Sequence, residues 1–344
     1  MTTTTHQDAM LVLSAEDISA LMRGRERDVI ATVSDAYRAH RLGASDLPQS
    51  VFLRFPGQPQ DRVIALPAYL GGETDMAGIK WIASFPNNLA QGRDRASAAI
   101  ILNSAQTGQP LALLEGSLIS AWRTAASAAL AAATLHTGPA SHVALIGTGL
   151  INFNILSFLR VVFPGLASCV VYDQVPENAE RFRERAMERL PRLDVSVAGD
   201  LRSALAHAPL VSFATTAGTP YLHDPACFAP GSTVLHISLR DLGAPVILAA
   251  DNVVDDIEHV CRAQTSIHLT AEQQGERGFI RCTLADVLEG EAPPRVDAVR
   301  PLIFSPFGLG VLDLALGRAV YDHALATERG TWIEQFLPLP WRKD

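Results

Sequence analysis

Cysteine is scarce in this sequence, which has four: Cys169, Cys227, Cys261 and Cys282. They are far apart and form no C-x-x-C pair, so a zinc ribbon, a redox pair and a disulfide framework are not expected. Basic residues are not in excess either, because 28 Lys and Arg stand against 36 Asp and Glu and give a net charge of −8. A nucleic-acid surface needs a basic patch, so nucleic acid is not expected as a partner, although a few local cations suffice for a small anion.

Long apolar runs are also missing. The sequence begins MTTTTHQDAM, without the basic and apolar regions of a secretory signal. The most apolar run, residues 124–135, is Ala-rich, follows Arg123 directly and falls short of the ~18 uninterrupted apolar residues of a membrane span. We interpret this run as a buried helix and predict a cytoplasmic protein with no membrane partner.

The length of 344 residues predicts two domains. The first part alternates between helical and extended patterns. Ser14 to Asp17 has the pattern of a helix capping box, in which a hydroxyl and a carboxylate three positions apart satisfy backbone amides. A helix is expected over residues 26–42, before Gly43. Strands are expected over residues 51–55, 62–66, 77–84, 98–103 and 111–114, the last two forming a hairpin around Thr107 and Gly108.

Beyond Ser117 the pattern becomes a regular alternation of helices and strands. Helices are expected over residues 117–135, 151–162, 179–190 and 201–207, and strands over 142–146, 169–172, 195–198, 210–214 and 233–238. This rhythm predicts an α/β fold, a Rossmann-type doubly wound parallel sheet beside an α+β domain. Residues 289–295 read as a loop. A last helix, over residues 312–327, is expected to pack back on the first domain.

A glycine turn follows the strand at residues 142–146. Its sequence is Gly147, Thr148, Gly149, Leu150, Ile151 and Asn152, a G-x-G-x-x-N pattern in which Asn152 departs from the usual small third residue. The first Gly permits the tight turn, the second permits close approach of a pyrophosphate, and the helix N-terminus supplies free amides. Asp173 follows the next strand, near the spacing of an acid that binds ribose hydroxyls. Because no Arg follows it directly, NAD is favoured over NADP. The alternative is an ordinary strand–helix turn with Asp173 as a helix cap.

Two cations in the first part stand in apolar strands. Arg54 is either a ligand-binding cation or a residue on the solvent face of its strand. Lys80 is the only charge in an apolar run, and a buried Lys must be paired or have a lowered pKa. The alternative for Lys80 is a residue at the sheet edge whose amine reaches water.

Further polar candidates lie later in the chain. Arg123 begins the Ala-rich helix, where its guanidinium suits a carboxylate; the alternative is an interdomain ion pair. Asp241 follows a strand at the edge where ligands of open α/β sheets bind, and is a general-base candidate; the alternative is a helix cap. His236 is interpreted as a core histidine. No metal is expected, because negative charge at a helix start accounts for the acidic cluster at residues 251–259.

The chain resembles the ornithine cyclodeaminase/μ-crystallin family over essentially its full length. The segments that carry the resemblance are GIKWIASFPNN, ILNSAQTGQPLALLEGSLISAWRTAA, VALIGTGLINFN, HISLRDL and SPFGLGVLD. It implies that residues 1–123 and 312–344 form a substrate-binding domain that also builds a homodimer, around a Rossmann domain of residues 124–311. It also implies a catalytic Asp241, a Lys80 that contacts the substrate, carboxylate-binding Arg54 and Arg123, and cofactor contacts from Thr124, Thr215 and Ser238.

Within the family, the likeness favours the branch that oxidises N-[(2S)-2-amino-2-carboxyethyl]-L-glutamate with NAD to 2,3-diaminopropionate and 2-oxoglutarate, in siderophore or antibiotic biosynthesis. Cyclodeaminases commonly have a Pro-Gly-Lys-like run after the catalytic Asp, where this chain has Leu242, Gly243 and Ala244. The alternatives within the family are ornithine cyclodeaminase, alanine dehydrogenase and ketimine reductase. A second alternative is a non-catalytic NAD(P)H-binding protein like μ-crystallin, which would not need Asp241.

Overall fold

The structure is a computed structural model, and it describes residues 8–206, 208–295 and 297–338. The chain divides into two compact units. Unit 1 takes the chain up to Arg123 and from Gly310 onward, and unit 2 is Thr124–Leu309. The later boundary lies two residues before the expected one. The roles predicted for the two domains stay predictions.

The strands and helices alternate along the chain as follows. The strands are β1 (Met10–Leu13), β2 (Ser45–Asp46), β3 (Val51–Phe55), β4 (Gln58–Leu70), β5 (Met76–Ser84), β6 (Ala96–Ser104), β7 (Pro110–Glu115), β8 (His142–Ile146), β9 (Ser168–Tyr172), β10 (Asp194–Val197), β11 (Leu210–Phe213), β12 (Thr233–His236), β13 (Asp251–Val254), β14 (Ile280–Thr283), β15 (Leu302–Ser305) and β16 (Thr331–Ile333). The helices are α1 (Ala15–Met22), α2 (Glu26–Arg41), α3 (Gly116–Leu135), α4 (Leu150–Val162), α5 (Pro176–Arg189), α6 (Leu201–Leu205), α7 (Ala244–Ala249), α8 (Ile257–Val260), α9 (Ser266–Gln274), α10 (Leu284–Leu288) and α11 (Gly310–Ala326).

Unit 1 is built around a mixed sheet in the order β16-β1-β7-β6-β5-β4-β2, with β3 paired to β4. The strands β3 to β7 are joined antiparallel, and β1 pairs parallel to β7. Helix α11 packs against β4, β5 and β6 and against α2, which confirms the expected return of the last helix to the first domain. Buried apolar side chains such as Ile100, Leu102 and Leu114 form this core.

Unit 2 contains an all-parallel sheet in the order β10-β9-β8-β11-β12-β15-β13-β14. The order reverses between β8 and β11, and in open α/β sheets ligands bind at such a switch point, outside the carboxyl ends of the strands. The glycine turn follows β8 and therefore lies at this point. The Rossmann-type parallel sheet is thus confirmed.

Most predicted elements are present with shifted ends. The capping box is confirmed, since Ser14 and Asp17 exchange bonds at the start of α1. Strand β4 is much longer than the predicted residues 62–66, because it pairs along its length with both β3 and β5. The strand predicted to reach Ser238 ends at His236. The predicted helix end at His207 and the polar first seven residues lie outside the described part of the chain.

Helix α3 is the one described helix that is long and apolar enough, by length and composition, to cross a membrane. Of the most apolar 18-residue stretch of α3, 67% is buried inside the protein. Its alanines from Ala125 to Ala132 are all fully buried. The prediction of a buried Ala-rich helix is therefore confirmed, and small side chains let it lie in the interior without leaving voids.

Candidate active site

A buried carboxylate joins two of the predicted cations in unit 1. The Lys80 amine on β5 donates to Asp313 Oδ2 at 2.6 Å, and Arg123 Nε on α3 donates to Asp313 Oδ1 at 3.1 Å. Lys80 Nζ also donates to Ser120 Oγ at 3.1 Å. Lys80 is 3% exposed and Asp313 is fully buried. Helix α11 thus supplies the counter-ion to two cations that the sequence places far from it.

The charges in this cluster do not balance. Burial lowers the pKa of Lys80 to about 8, although the charge of Asp313 raises it, and the charge of Arg123 lowers it further. Burial would raise the pKa of Asp313, but Arg123 and Lys80 hold it below its usual value. Two cations therefore share one carboxylate at neutral pH. Because an unpaired buried charge is costly, the cluster suits the binding of one more carboxylate.

The structure excludes two of the alternatives. Lys80 is both paired and lowered in pKa, so the interpretation of its amine as reaching water is wrong. Arg123 is not in an interdomain ion pair here, because Asp313 belongs to the same unit. Sequence reasoning missed Asp313, although it stands alone as a charge in the apolar stretch FGLGVLDLALG.

Arg54 is not part of this cluster. It lies on β3, exposed to solvent, with its guanidinium carbon 5.7 Å from the centre of the Phe52 ring. Its neighbour across the strands is Arg62 rather than Lys80, which pairs with Leu66. Its predicted contact with a carboxylate stays a prediction.

The glycine turn of unit 2 has the geometry that a dinucleotide site needs. Gly147 has a φ of +87°, and a Cβ there would lie 2.6 Å from the carbonyl oxygen of Ala214. No atom lies within 4 Å of the Cβ position of Gly149, the residue before α4, so backbone amides are open to a ligand there. Leu150 and Ile151 begin α4, whose N-terminus favours a pyrophosphate.

Asn152 explains why the third glycine is absent. Its side chain is fully buried, and Nδ2 donates to the carbonyl oxygens of Ile146 at 3.0 Å and Gly147 at 2.6 Å. Its Oδ1 accepts from Ser212 Oγ of β11 at 2.7 Å. The amide thus fixes the glycine turn to both strands that flank the switch point.

Asp173 lies beside the same turn, after β9. Its Oδ2 accepts from the backbone N of Thr148 at 3.0 Å and from the Thr148 hydroxyl at 2.7 Å. Its Oδ1 accepts from the amide of Val175, two residues on, but Asp173 does not cap α5, which begins after Val175. The cavity beside the turn is also lined by Arg181 and Arg185 of α5. Sequence reasoning missed these two arginines because they lie within α5 and not directly after Asp173.

Asp241 is at the centre of a buried polar network in unit 2. Its Oδ1 accepts hydrogen bonds from the hydroxyls of Thr215 and Tyr221, the latter at 3.0 Å. Its Oδ2 accepts from Ser238. His236 Nε2 lies 3.3 Å from Oδ2 and 3.2 Å from the Asp241 amide nitrogen, so the tautomer of the ring decides whether Nε2 donates to the carboxylate or accepts from the amide.

These contacts determine the chemistry open to Asp241. Burial would raise its pKa, but the bond and charge of His236 and the hydroxyls of Ser238 and Thr215 bring it below its usual value. Asp241 is therefore ionised at neutral pH. The hydroxyl donors already occupy most of the about four lone-pair positions of a carboxylate. A proton can reach Asp241 from a substrate through one of these hydroxyls.

The structure excludes the helix-cap alternative for Asp241 and supports the interpretation of His236 as a core histidine. Asp241 is not the cap of the following helix, because Gly243 is the residue that precedes α7. His236 is fully buried, and its Nδ1 lies 3.2 Å from Ser305 Oγ, as expected of a core histidine with satisfied nitrogens. Thr124 follows Arg123 on α3, and its cofactor contact stays a prediction.

The acidic cluster after β12 is engaged in structural contacts. Asp256 caps α8 through His259, as expected for a helix start. Asp251 instead pairs with Arg281 and Arg295, and Asp255 accepts from backbone amides that include those of residues 307 and 308. Across the described residues, no group of three or more potential metal ligands is present.

Comparisons with known proteins cover most of the chain. A sequence profile of the ornithine cyclodeaminase/mu-crystallin family matches residues 8–328. The chain is similar to N-((2S)-2-amino-2-carboxyethyl)-L-glutamate dehydrogenase of Staphylococcus aureus (strain NCTC 8325 / PS 47), with 29% identity over 333 residues. This match covers 95% of this chain and 99% of that protein.

Two solved structures are similar in fold. Delta(1)-pyrroline-2-carboxylate reductase of Thermococcus litoralis, in complex with NADH and L-proline, has a TM-score of 0.87 and 25% identity, covering 94% of this chain and 99% of that one. An archaeal alanine dehydrogenase dimer with bound NAD has a TM-score of 0.84 and 26% identity, with coverage of 94% and 99%.

Proposed function

The chain belongs to the ornithine cyclodeaminase/mu-crystallin family, and from this premise we propose that it is an NAD-dependent oxidoreductase acting at the Cα–N bond of an amino acid. The observation that carries the proposal is the buried pair Lys80 and Arg123, which shares the single carboxylate of Asp313. An amino-acid carboxylate would balance the remaining charge. The similar structures with NADH and proline, and with NAD, support the same class of reaction.

The geometry of unit 2 fits NAD. The open position at Gly149 and the start of α4 would hold the pyrophosphate, and Asp173 would accept from ribose hydroxyls and repel a 2′-phosphate. Thr215 and Ser238, after β11 and β12, lie at the carboxyl edge of the sheet, where the nicotinamide part of such ligands is expected. When bound, the cofactor supplies a hydride acceptor.

Within this class we propose the oxidation of N-[(2S)-2-amino-2-carboxyethyl]-L-glutamate. Its support is the similarity to the Staphylococcus aureus dehydrogenase named for that compound. The glutamyl Cα loses a hydride and the secondary amine loses a proton, which gives an imine. Water adds to the imine carbon, and breakage of the C–N bond releases 2-oxoglutarate and L-2,3-diaminopropionate. Such a product would serve siderophore or antibiotic biosynthesis, in the cytoplasm.

Each cluster has a role in these steps. Lys80 and Arg123 hold a substrate carboxylate, and Lys80, whose pKa of about 8 lies near neutral pH, is suited to exchange a proton. In unit 2, the Thr215 hydroxyl takes the amine proton as it passes its own to Asp241, to which it is already bonded. Tyr221 remains protonated, because burial and the charge of Asp241 raise its pKa, and it keeps Asp241 in place.

The test is to incubate the purified protein with NAD and the aminocarboxyethyl-glutamate, and to measure NADH and 2-oxoglutarate together. Equal amounts of both products are expected. NADH from alanine alone would indicate an alanine dehydrogenase, and ammonia from ornithine without net NADH would indicate a cyclodeaminase. Absence of any turnover with intact NAD binding would favour a μ-crystallin-like binder.

A variant connects the activity to the Asp241 network. Asp241→Asn is expected to lower turnover at least 100-fold with little change in the affinity for NADH, since general acid–base groups contribute about 10²–10⁴-fold. Asp224→Asn, on an exposed capping residue of the same unit, is the matched control. An equal loss of turnover and NADH affinity in Asp241→Asn would show that Asp241 supports the fold instead.

We also propose a homodimer formed through the outer face of the unit 1 sheet. This face is opposite to the one from which Lys80 projects. Several of its apolar side chains are well exposed: Val51, Leu53, Tyr69, Trp81 and Ile101. Contiguous exposed apolar patches mark interaction sites. The similar archaeal alanine dehydrogenase is a dimer.

Sedimentation velocity tests the dimer. Trp81→Glu places a charge in the centre of the patch and is expected to yield monomers. Val299→Glu, at an exposed apolar residue of unit 2, is the control and should leave the dimer unchanged. A dimer that survives Trp81→Glu at low micromolar concentration would contradict the proposed face.

A further inference from the structure

Three arginines lie together at one end of the unit 1 sheet. Arg54 of β3 is directly opposite Arg62 of β4, and Arg62 is directly opposite Ser84 of β5. Directly opposite residues of antiparallel strands project from the same face. Arg95, just before β6, completes the group by donating from Nη1 to Ser84 Oγ at 3.1 Å. The register of four segments therefore brings three guanidinium groups to one place.

The charged groups that act on Arg62 and Arg95 are other arginines. Burial lowers the pKa of Arg62, and the charge of Arg54 lowers it further. Burial lowers the pKa of Arg95, and the charge of Arg62 lowers it further. No carboxylate of the described residues is among the groups that act on either. Asp61, the acid next to Arg62 in β4, alternates with it and projects from the opposite face.

The arginine group lies on the same face of the sheet as Lys80. Lys80 and Ser84 are four residues apart on β5, so their side chains share a face and their Cα atoms are about 13 Å apart along the strand. Long Arg and Lys side chains can shorten this gap. One face of the sheet thus has two groups with excess positive charge, at a separation that suits the two ends of one small molecule. Lys80 and Arg123 share the single carboxylate of Asp313, and the arginine group is the second.

We propose that Arg54, Arg62 and Arg95 form a second carboxylate subsite, which selects substrates with a carboxylate distal to the one held by Lys80 and Arg123. This proposal rests on the proposed function and deepens it. In the aminocarboxyethyl-glutamate, the distal group is the γ-carboxylate of the glutamyl part. Alanine and proline have no such group, so the subsite would favour di- and tricarboxylic amino acids over them.

The Phe52 ring prepares Arg54 for this role. The Arg54 guanidinium lies over the ring, 5.7 Å from its centre, on the face that Arg54 shares with Arg62. A cation stacked on an aromatic face keeps its N–H edge free for a planar, bidentate partner. Ser84 likewise holds one nitrogen of Arg95 and leaves its other donors for a ligand.

The kinetic test compares the substrate with its γ-amide analogue, in which a glutaminyl part replaces the glutamyl part. The wild-type enzyme should prefer the carboxylate at least tenfold in kcat/KM, as expected for hydrogen bonds to a charged group. Arg62→Gln and Arg95→Gln should lose this preference, mainly through a higher KM, while Arg62→Lys and Arg95→Lys should restore part of it. Arg93→Gln, at an exposed arginine beside Arg95, is the matched control.

A binding test separates this proposal from the proposed function. Calorimetry with glutarate, a plain dicarboxylate, should show binding to the wild-type protein that weakens at least tenfold in Arg62→Gln and Arg95→Gln but not in Arg93→Gln. Loss of glutarate binding in these variants supports the subsite even if the aminocarboxyethyl-glutamate is not turned over. Equal effects of Arg62→Gln and Arg95→Gln on the carboxylate and amide substrates, or unchanged glutarate binding, would overturn the proposal.

Discussion

Asp313 is the residue whose removal tests the unit 1 cluster most directly. Asp313→Asn keeps the size of the side chain but leaves Lys80 and Arg123 as two buried cations with no counter-ion. Removing one partner of a buried ion pair typically costs about 3–5 kcal/mol. We expect a loss of that size in the unfolding free energy of unit 1 at neutral pH.

The matched control lies on the same helix. Asp322→Asn removes the same charge from α11, but Asp322 is half exposed and pairs with Arg318 at 2.7 Å, four residues away. Such surface pairs contribute about 0.3–0.5 kcal/mol. All four tryptophans of the sequence fall within the residue range of unit 1, so urea unfolding followed by tryptophan fluorescence reports on this unit.

The pH dependence adds a second readout. The stability from the lowered pKa of Asp313 is present above its usual pKa and is lost as pH falls through the lowered value. The difference between wild type and Asp313→Asn should therefore narrow in acid. A loss no larger than that of Asp322→Asn at neutral pH would refute the view that Asp313 neutralises the two cations.

Further predictions concern four residues: Gly147, Gly149, Asp173 and Lys80. Gly147→Ala should destabilise unit 2 by about 2 kcal/mol or more, because the φ of Gly147 is left-handed and the new Cβ would clash with Ala214. Gly149→Ala should leave the stability measured by circular dichroism unchanged, but it should weaken NADH binding at least tenfold in a fluorescence titration. Asp173→Ser should raise the ratio of kcat/KM for NADP over NAD at least tenfold; an unchanged ratio would remove Asp173 from cofactor selection. The KM for an anionic substrate should rise above pH 8, because Lys80 then loses its charge. The sequence has two lysines, so NMR of lysine-labelled protein can follow the titration of Lys80 directly, and the variant Lys343→Arg identifies the signal of Lys343.

Sequence patterns predicted the features that depend on local chemistry. The regular alternation after Ser117 predicted the parallel sheet, because each strand and helix has its own hydrophobic period. The isolated charge of Lys80 predicted a buried amine that is paired or lowered in pKa. The structure pairs it with Asp313, and burial lowers its pKa. The two glycines predicted the turn after β8, and the strand order of the structure places that turn at the switch point of the sheet.

Features that depend on distant partners could not be predicted in this way. The pairing of Lys80 with Asp313 joins residues 233 positions apart, and no local pattern encodes it. Asn152 looked like an irregular third position, and its function became visible only with Ser212 of β11 beside it. The arginine group at Ser84 likewise depends on the register of β3, β4 and β5, which hydrophobic alternation alone does not fix.

The long reach of Asp313 has a consequence for how the protein is made. Ribosomes add about 5–20 residues per second, so roughly 10–50 s separate the synthesis of Lys80 from that of its counter-ion. During that interval, the whole of unit 2 is synthesised and can fold. In the nascent chain, Lys80 and Arg123 have no counter-ion from Asp313 until α11 emerges from the ribosome. Unit 2 is thus expected to be the first part to mature on the ribosome, and unit 1, although it begins the chain, the last.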